Sequence, residues 1–373
     1  MEFSCLQENL SQGLNISSHI TSANKVSLPI LNNILLTAED GTLKLSTTNL
    51  EIAIETKIRA KIKEPGKITI PAQLFSNYIN LLPGNEVLDF KTIKNELVIK
   101  SKNQESKIKG INAEEFPIIP QVEKQESYIL DCSALKDALE KTIFAISLSE
   151  VRVELGGALF SFNTPSEDKL TIVGTDSYRL TEKEIFFKKS KSKNKKNVII
   201  PAKTLQELLR IVKDKGNIEI YLSENQVLFV YQETEIVSRV ISGEFPNYKQ
   251  TIPESHKTKV SVNRENFLMA IKRASFFAKS GVNDVSLKFL PKENQLIISS
   301  LNNQIGENRT VLETEITGQE NEIIFNYRYL IDGLINIEEK EVSLEIVNDN
   351  TPGLIRSLDD KFYLYLIMPI KNN

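Results

Sequence analysis

The chain of 373 residues has no tryptophan, two histidines, two cysteines and three methionines. Each shortage closes off a chemistry. His19 and His256 both fall in segments that read as loops, so neither a histidine-rich metal site nor a Ser-His-Asp or Cys-His nucleophile can be assembled. Cys5 and Cys132 form no CxxC pair, which argues against a disulfide framework and a zinc site and fits a reducing cytoplasm. There is no GxGxxG and no GxxxxGK(S/T), hence no phosphate-cradling loop. No acidic cluster suggests paired metal ions. No apolar run approaches membrane-spanning length, and Met1–Cys5 lacks the basic and apolar stretches of a signal peptide. Lysine and arginine number 46 against 49 acidic residues, and the net charge of −3 argues against a protein that grips DNA by bulk positive charge. No cofactor, metal or catalytic function is expected. Asp176 is a conceivable catalytic acid, but Thr175-Asp176-Ser177 lies between two strand-like runs, where Asp and Ser commonly support a turn.

What the chain does contain is a repeat. Strand-like openings occur at Phe3-Ser4-Cys5, Tyr128-Ile129-Leu130 and Val260-Ser261-Val262. Further strands follow at matching offsets, at Leu43–Ser46, Leu170–Val173 and Leu296–Ser299. Ile70-Pro71-Ala72 returns as Ile200-Pro201-Ala202 and more loosely as Phe325-Asn326-Tyr327, each ahead of a helical segment, with proline read at the first helical turn. Glu115-Phe116-Pro117 matches Glu244-Phe245-Pro246. The spacing of about 125 to 132 residues divides the chain into domains at 1–122, 127–253 and 257–373. Alternation of Ile52, Ile54, Thr56, Ile58, Ala60 and Ile62 with charged residues predicts one long strand with a buried face. Leu205, Leu208, Leu209 and Val212 fall at helical spacing. Each unit therefore holds about two helices on antiparallel sheet, an α+β class.

Six predicted helical segments carry a net +4, leaving −7 for the rest of the chain. A helix-lined surface could face phosphates while the remainder stays acidic; solvated amphipathic helices would give the same bias. The run 188–196 holds six lysines in nine residues, read as a solvated loop joining two strands or as a phosphate-binding patch.

Several stretches resemble the bacterial DNA polymerase III beta subunit family, the sliding clamps, over the whole length. They are Leu28–Leu36, Val151-Arg152, Gly174–Leu180, Gly243–Tyr248 and Leu366–Ile370, in that order. The resemblance implies three domains of one clamp fold per chain and a head-to-tail homodimeric ring encircling duplex DNA. The partners it implies are the polymerase III alpha subunit, the clamp loader and other proteins carrying a clamp-binding peptide. By that resemblance the peptide pocket comprises Leu155, Thr175, Ser177, Tyr178, Arg179, Leu180, Pro246, Ile367, Met368, Pro369 and Ile370, with Tyr178 standing where the family commonly has histidine. Lys25 and Arg152 fall at DNA-contacting positions, with Lys203, Arg210, Lys272 and Arg273 as further helix candidates. At the dimer interface Phe277, with Phe276, is expected to pack near Ile108 or Leu82. Two other classes compete: a β-rich repeat scaffold with no DNA role, and an enzyme built on the repeated units.

Overall fold

Strand burial alternates as a sheet with one face on a core requires. In Asp284–Leu290, for example, Val285, Leu287 and Phe289 are buried and the residues between them are half-exposed. The computed structural model describes residues 1–21, 28–149 and 151–371. Among them are six α-helices: α1 (Gln7–Ser17), α2 (Ala72–Asn80), α3 (Cys132–Ile143), α4 (Ala202–Ile211), α5 (Arg264–Ser275) and α6 (Tyr327–Ile335). Asn263 caps α5 by accepting from the Asn266 backbone N–H, and Asn326 caps α6 in the same way through Arg328. Pro71 stands one residue ahead of the expected position, as the last residue of the strand Gly66–Pro71 and the cap of α2.

The chain forms two units, each with its own sheets. The first comprises Met1–Cys132, Lys188–Ser192 and Arg210–Val240; the second comprises Ser133–Phe187, Lys193–Leu209 and Ile241–Asn373. In the first, a five-stranded sheet contains Lys61–Glu64, Glu2–Leu6, Val87–Ile93, Glu96–Lys100 and Glu105–Lys109. Its apolar residues share a core with α1, α2 and part of a nine-stranded sheet, and in that core Phe3 stacks on Phe90 at 4.6 Å between ring centroids. In the second unit, a four-stranded sheet containing Asp284–Leu290 shares a core with α5, α6 and part of another nine-stranded sheet. Helix α6 rests directly on that sheet: a Cβ on Gly333 would lie 2.1 Å from the Tyr365 ring, so only glycine fits.

Both nine-stranded sheets are antiparallel and join strands of successive sequence repeats. In the first, Thr234–Arg239 pairs with Ile52–Arg59, matching Ile236 to Ile54. In the second, Arg179–Phe186 pairs with Tyr363–Ile367, matching Leu180 to Leu366. The units therefore do not follow the repeat boundaries, because the hydrogen-bonded ladders run across them. The long strand expected over residues 52–62 is broken at Ala60: Ile52–Arg59 stays in the nine-stranded sheet, and Lys61–Glu64 leaves it to pair with Glu2–Leu6. The lysine run is not a free loop. Lys189-Ser190 pairs with Tyr128–Ile129, Lys188 meets Asp131 at 2.5 Å, and Lys196 opens the strand Lys196–Pro201. Cys5 and Cys132 are buried free thiols, and burial pushes the Cys5 thiol up to about 12.

Candidate functional site

Lys169–Thr175 and Arg179–Phe186 are adjacent antiparallel strands joined by a tight turn at Asp176-Ser177-Tyr178. Asp176 holds the turn as expected. Its Oδ1 accepts from the backbone N–H groups of Tyr178 (2.9 Å) and Arg179 (3.0 Å), while its Oδ2 accepts from Nε of Arg179 at 2.9 Å. Ser177 takes a positive φ of 78°. The Thr175 hydroxyl donates to the Arg179 carbonyl at 2.6 Å and accepts the Ser177 N–H at 3.2 Å. A catalytic role for Asp176 finds no support in this geometry, since both carboxylate oxygens are occupied within the turn.

Arg179 is the hub of the turn. Its NH1 donates to Asp332 of α6 at 2.5 Å, and its guanidinium lies over the rings of Tyr329 (4.8 Å) and Phe144 (5.5 Å). Burial opposes its charge, but Tyr365, Asp332 and Asp176 outweigh that and raise its pKa. Tyr178 is exposed and stacks on Tyr329 at 6.4 Å, and its carbonyl accepts the Met368 N–H at 2.8 Å.

Beside this turn lies a cleft of about 210 Å³ lined by Arg152, Thr175, Ser177, Arg179, Leu180, Pro246, Asn247, Tyr248, Thr251, Leu366 and Met368. Its apolar wall comes from Leu180, Leu366 and the connector 246–251, and Met368 stands at the rim. The Tyr248 hydroxyl donates to Glu182, and burial together with that carboxylate holds the phenol well above its ordinary pKa, so it remains a donor. This is an apolar cleft with a few fixed polar groups, a lining that suits apolar side chains of a ligand.

Six of the residues expected at the pocket line the cleft: Thr175, Ser177, Arg179, Leu180, Pro246 and Met368. The others do not. Leu155 and Ile367 are buried in the structure, Tyr178 is displaced to its stack on Tyr329, and Pro369 and Ile370 lie half-buried further along the chain. The Ile370 N–H donates to the Ile324 carbonyl at 2.8 Å, tying that tail to a strand. Asn247, Tyr248, Thr251 and Leu366 were missed. The Gly243–Tyr248 and Leu366–Ile370 matches already contained Asn247, Tyr248 and Leu366, but Tyr363–Ile367 is buried throughout and only the packed sheet sets Leu366 beside Leu180.

Arg152, expected at a DNA-contacting position, has partners within the chain. It lines the cleft, donating from NH1 to the Ser177 hydroxyl at 3.0 Å and from Nε to Glu154 at 2.9 Å. Arg210, a further candidate for DNA contact, is held by α1. Its two terminal nitrogens donate to the carbonyls of Asn15 (2.6 Å) and Ile16 (2.7 Å) at the end of α1, a helix-capping role. Lys203, Lys272 and Arg273 are exposed on α4 and α5, and Lys25 lies outside the described residues.

The interface expectation is corrected in detail. Phe276, at the end of α5, is the outward ring at 77 % exposure, whereas Phe277 is half-buried near Gly306. Both rings stand in the turn just past Ser275, the last residue of α5, and the structure reverses which one faces out. Leu82 and Ile108 are buried in the core of the first unit and present little surface; the exposed neighbour is Leu81.

Strands of successive repeats joined into shared sheets, with an apolar cleft beside one seam, define a repeated clamp-type architecture. Comparison with known proteins agrees. Models of the DNA polymerase III beta subunit match in order, the N-terminal domain at residues 1–120, the central domain at 129–247 and the C-terminal domain at 249–371. The beta sliding clamp of Staphylococcus epidermidis is 31% identical over 382 aligned positions, covering 100% of this chain and 99% of that protein. The beta sliding clamp of Synechococcus elongatus is 29% identical over 376 positions, with the same coverage. The crystal structure of the Bacillus subtilis DNA polymerase sliding clamp superposes with a TM-score of 0.94 at 29% identity and full coverage of both chains. The chain belongs to the DNA polymerase III beta subunit family, the bacterial sliding clamps. Its function is that family's clamp function, and the β-rich scaffold alternative is set aside.

Proposed function

We propose that two copies of this chain close head to tail into a ring around duplex DNA. The ring tethers the replicative polymerase, the clamp loader and other clients through the cleft beside Leu180 and Met368. Each chain contributes three clamp domains, at 1–122, 127–253 and 257–373, and performs no catalysis of its own. The observation that carries the tethering role is the cleft itself: Leu180 and Leu366 come from distant parts of the sequence, are paired in adjacent strands, and face a preformed apolar space.

Holding DNA by topology needs no strong phosphate contact, because a closed ring leaves only by opening. Weak, sequence-independent contacts then favour sliding, which fits a net charge of −3. Lys203, Lys272 and Arg273 on α4 and α5 are free to supply such contacts, and Lys25 is retained as a candidate from the family resemblance. Tethering raises the effective concentration of a bound polymerase at the DNA and so its processivity. The dimer contact is proposed at Phe276, with Leu301 and Ile305 as further exposed apolar residues of the same domain. The test is retention on DNA. The protein is loaded onto nicked circular DNA and washed in high salt, then the circle is cut. A ring stays on the circle and leaves the linear form; equal retention on both would rule out encirclement.

A further inference from the structure

Each nine-stranded sheet is crossed by a connector over the same register. In the second unit Glu182 pairs across the ladders with Leu364 and Val173; in the first, Glu55 pairs with Glu235 and Ser46 at the repeating positions. The connectors share a tripeptide, Glu244-Phe245-Pro246 and Glu115-Phe116-Pro117. Each is pinned by one isolated bridge, Ile199 to Ile241 and Thr69 to Ile111.

One position breaks the correspondence. Two residues beyond Pro246 stands Tyr248, buried among Leu159, Leu180, Leu364 and Leu366, with its hydroxyl donating to Glu182. Two residues beyond Pro117 stands Ile119, which has no hydroxyl and is half-buried. Beneath that connector a groove of about 690 Å³ opens, lined among others by Leu35, Glu55, Pro117, Ile119 and Val237. Its volume lies within the range of ligand sites, roughly 300–1,000 Å³. The carboxylate that Tyr248 satisfies in the other repeat is present here without its phenol. Ser46 (2.7 Å) and Lys44 (3.3 Å) both reach Oε1 of Glu55, and among the described residues nothing donates to Oε2. The walls differ in the same sense. Val173, Leu364 and Ile199 of the filled site are replaced by Ser46, Glu235 and Thr69, a lining suited to an exchangeable ligand more than to a permanent core.

We propose that this groove is a second docking site, and that its occupant is a tyrosine side chain carried on an extended segment of a partner protein. The ring packs on Leu35, Ile119 and Val237, and the hydroxyl donates to Glu55 as that of Tyr248 does to Glu182. Lys44 and Lys124 are already paired with Glu55 and Glu235, so recognition rests on the ring and its hydroxyl and not on net charge.

The test uses the full chain with labelled isoleucine, leucine and valine methyl groups, titrated with N-acetyl-L-tyrosinamide and, separately, N-acetyl-L-phenylalaninamide. Saturable shifts are expected at the Ile119, Leu35 and Val237 methyls with the tyrosine probe. The phenylalanine probe should bind at least about fivefold more weakly, because it lacks the donor to a charged acceptor. Glu55→Leu should erase the preference between the probes. Ile119→Tyr supplies the ring from the chain itself and should abolish the Leu35 and Val237 shifts, with methyl signals of the second unit unchanged as the check on folding. The proposal is overturned by the absence of a saturable shift, by equal affinity for both probes, or by undiminished binding in a folded Ile119→Tyr protein.

Discussion

Arg179 donates to Asp332 across 2.5 Å, and through this contact helix α6 holds the turn that forms one side of the cleft. Asp332 touches no cleft surface itself, so it acts by positioning. Asp332→Ala should leave Asp176 as the one carboxylate on Arg179, beside the Tyr329 and Phe144 rings, and loosen the turn. Because the Asp332 side chain is 43% exposed, the loss is modest, about 1 kcal/mol or roughly fivefold in client-peptide affinity. Fluorescence anisotropy with a labelled polymerase peptide measures it, and Asp332→Glu should recover part of the loss.

The cleft is best probed from its rim. Leu180 is 3% exposed and belongs to an apolar cluster, so Leu180→Ala costs about 2–5 kcal/mol of stability besides any lost binding. Met368 is exposed and lines the cleft, so Met368→Ala should weaken the same peptide by about 10-fold or more, the value of burying one apolar side chain, with little change in melting temperature. Deleting 368–373 should act in the same direction and also remove the Ile370 tie to Ile324. Unchanged affinity in both variants would move the peptide site elsewhere.

Phe276 carries the assembly prediction. Phe276→Ser removes an exposed ring and should cost little in the folding of the isolated chain, while shifting the dimer toward monomer. Light scattering at nanomolar protein reads the mass. Phe277→Ser should instead destabilise the chain, because that ring is half-buried.

A buried ionic cluster sets an acid limit on stability. Asp360 receives Lys183 and, at 3.2 Å, Lys141, and both ammonium groups also reach Asp137. Burial opposes the Asp360 charge, but Lys183 and Lys141 outweigh it and lower its pKa from the ordinary aspartate value. A carboxylate with a depressed folded-state pKa contributes stability above its unfolded pKa and loses it as the pH falls through the folded value. Thermal stability should therefore decline below about pH 4. Asp360→Asn should flatten that acid limb and cost about 3–5 kcal/mol at neutral pH, since it leaves buried lysines short of a partner. An acid limb identical in the variant would assign it to other carboxylates.

Weak DNA contact has its own signature. Lys203→Ala, Lys272→Ala and Arg273→Ala together should lower loading at low salt and change it little at high salt, because removing three phosphate contacts lessens the salt dependence. Arg210→Ala should behave differently, lowering thermal stability by releasing the carbonyls of Asn15 and Ile16.

The amino-acid sequence by itself determined the repeat, the helices and most strands, because buried positions recur at fixed periods whatever the chain packs against. It also determined the Asp176 turn, whose hydrogen bonds span three residues. Tertiary structure decided the rest. Which of Phe276 and Phe277 faces outward depends on the hairpin bearing Gly306, thirty residues away, and not on the helix itself. Arg152 and Arg210 read as free cations, but a guanidinium goes to the nearest acceptors, and these were a serine hydroxyl 25 positions along the chain and carbonyls 195 and 194 positions away. The strand over residues 52–62 continues its alternation through Ala60 while its partners change from one sheet to another. Alternation records which face of a strand is buried; only the packed sheets determine which strand lies beside it, and so where a cleft remains.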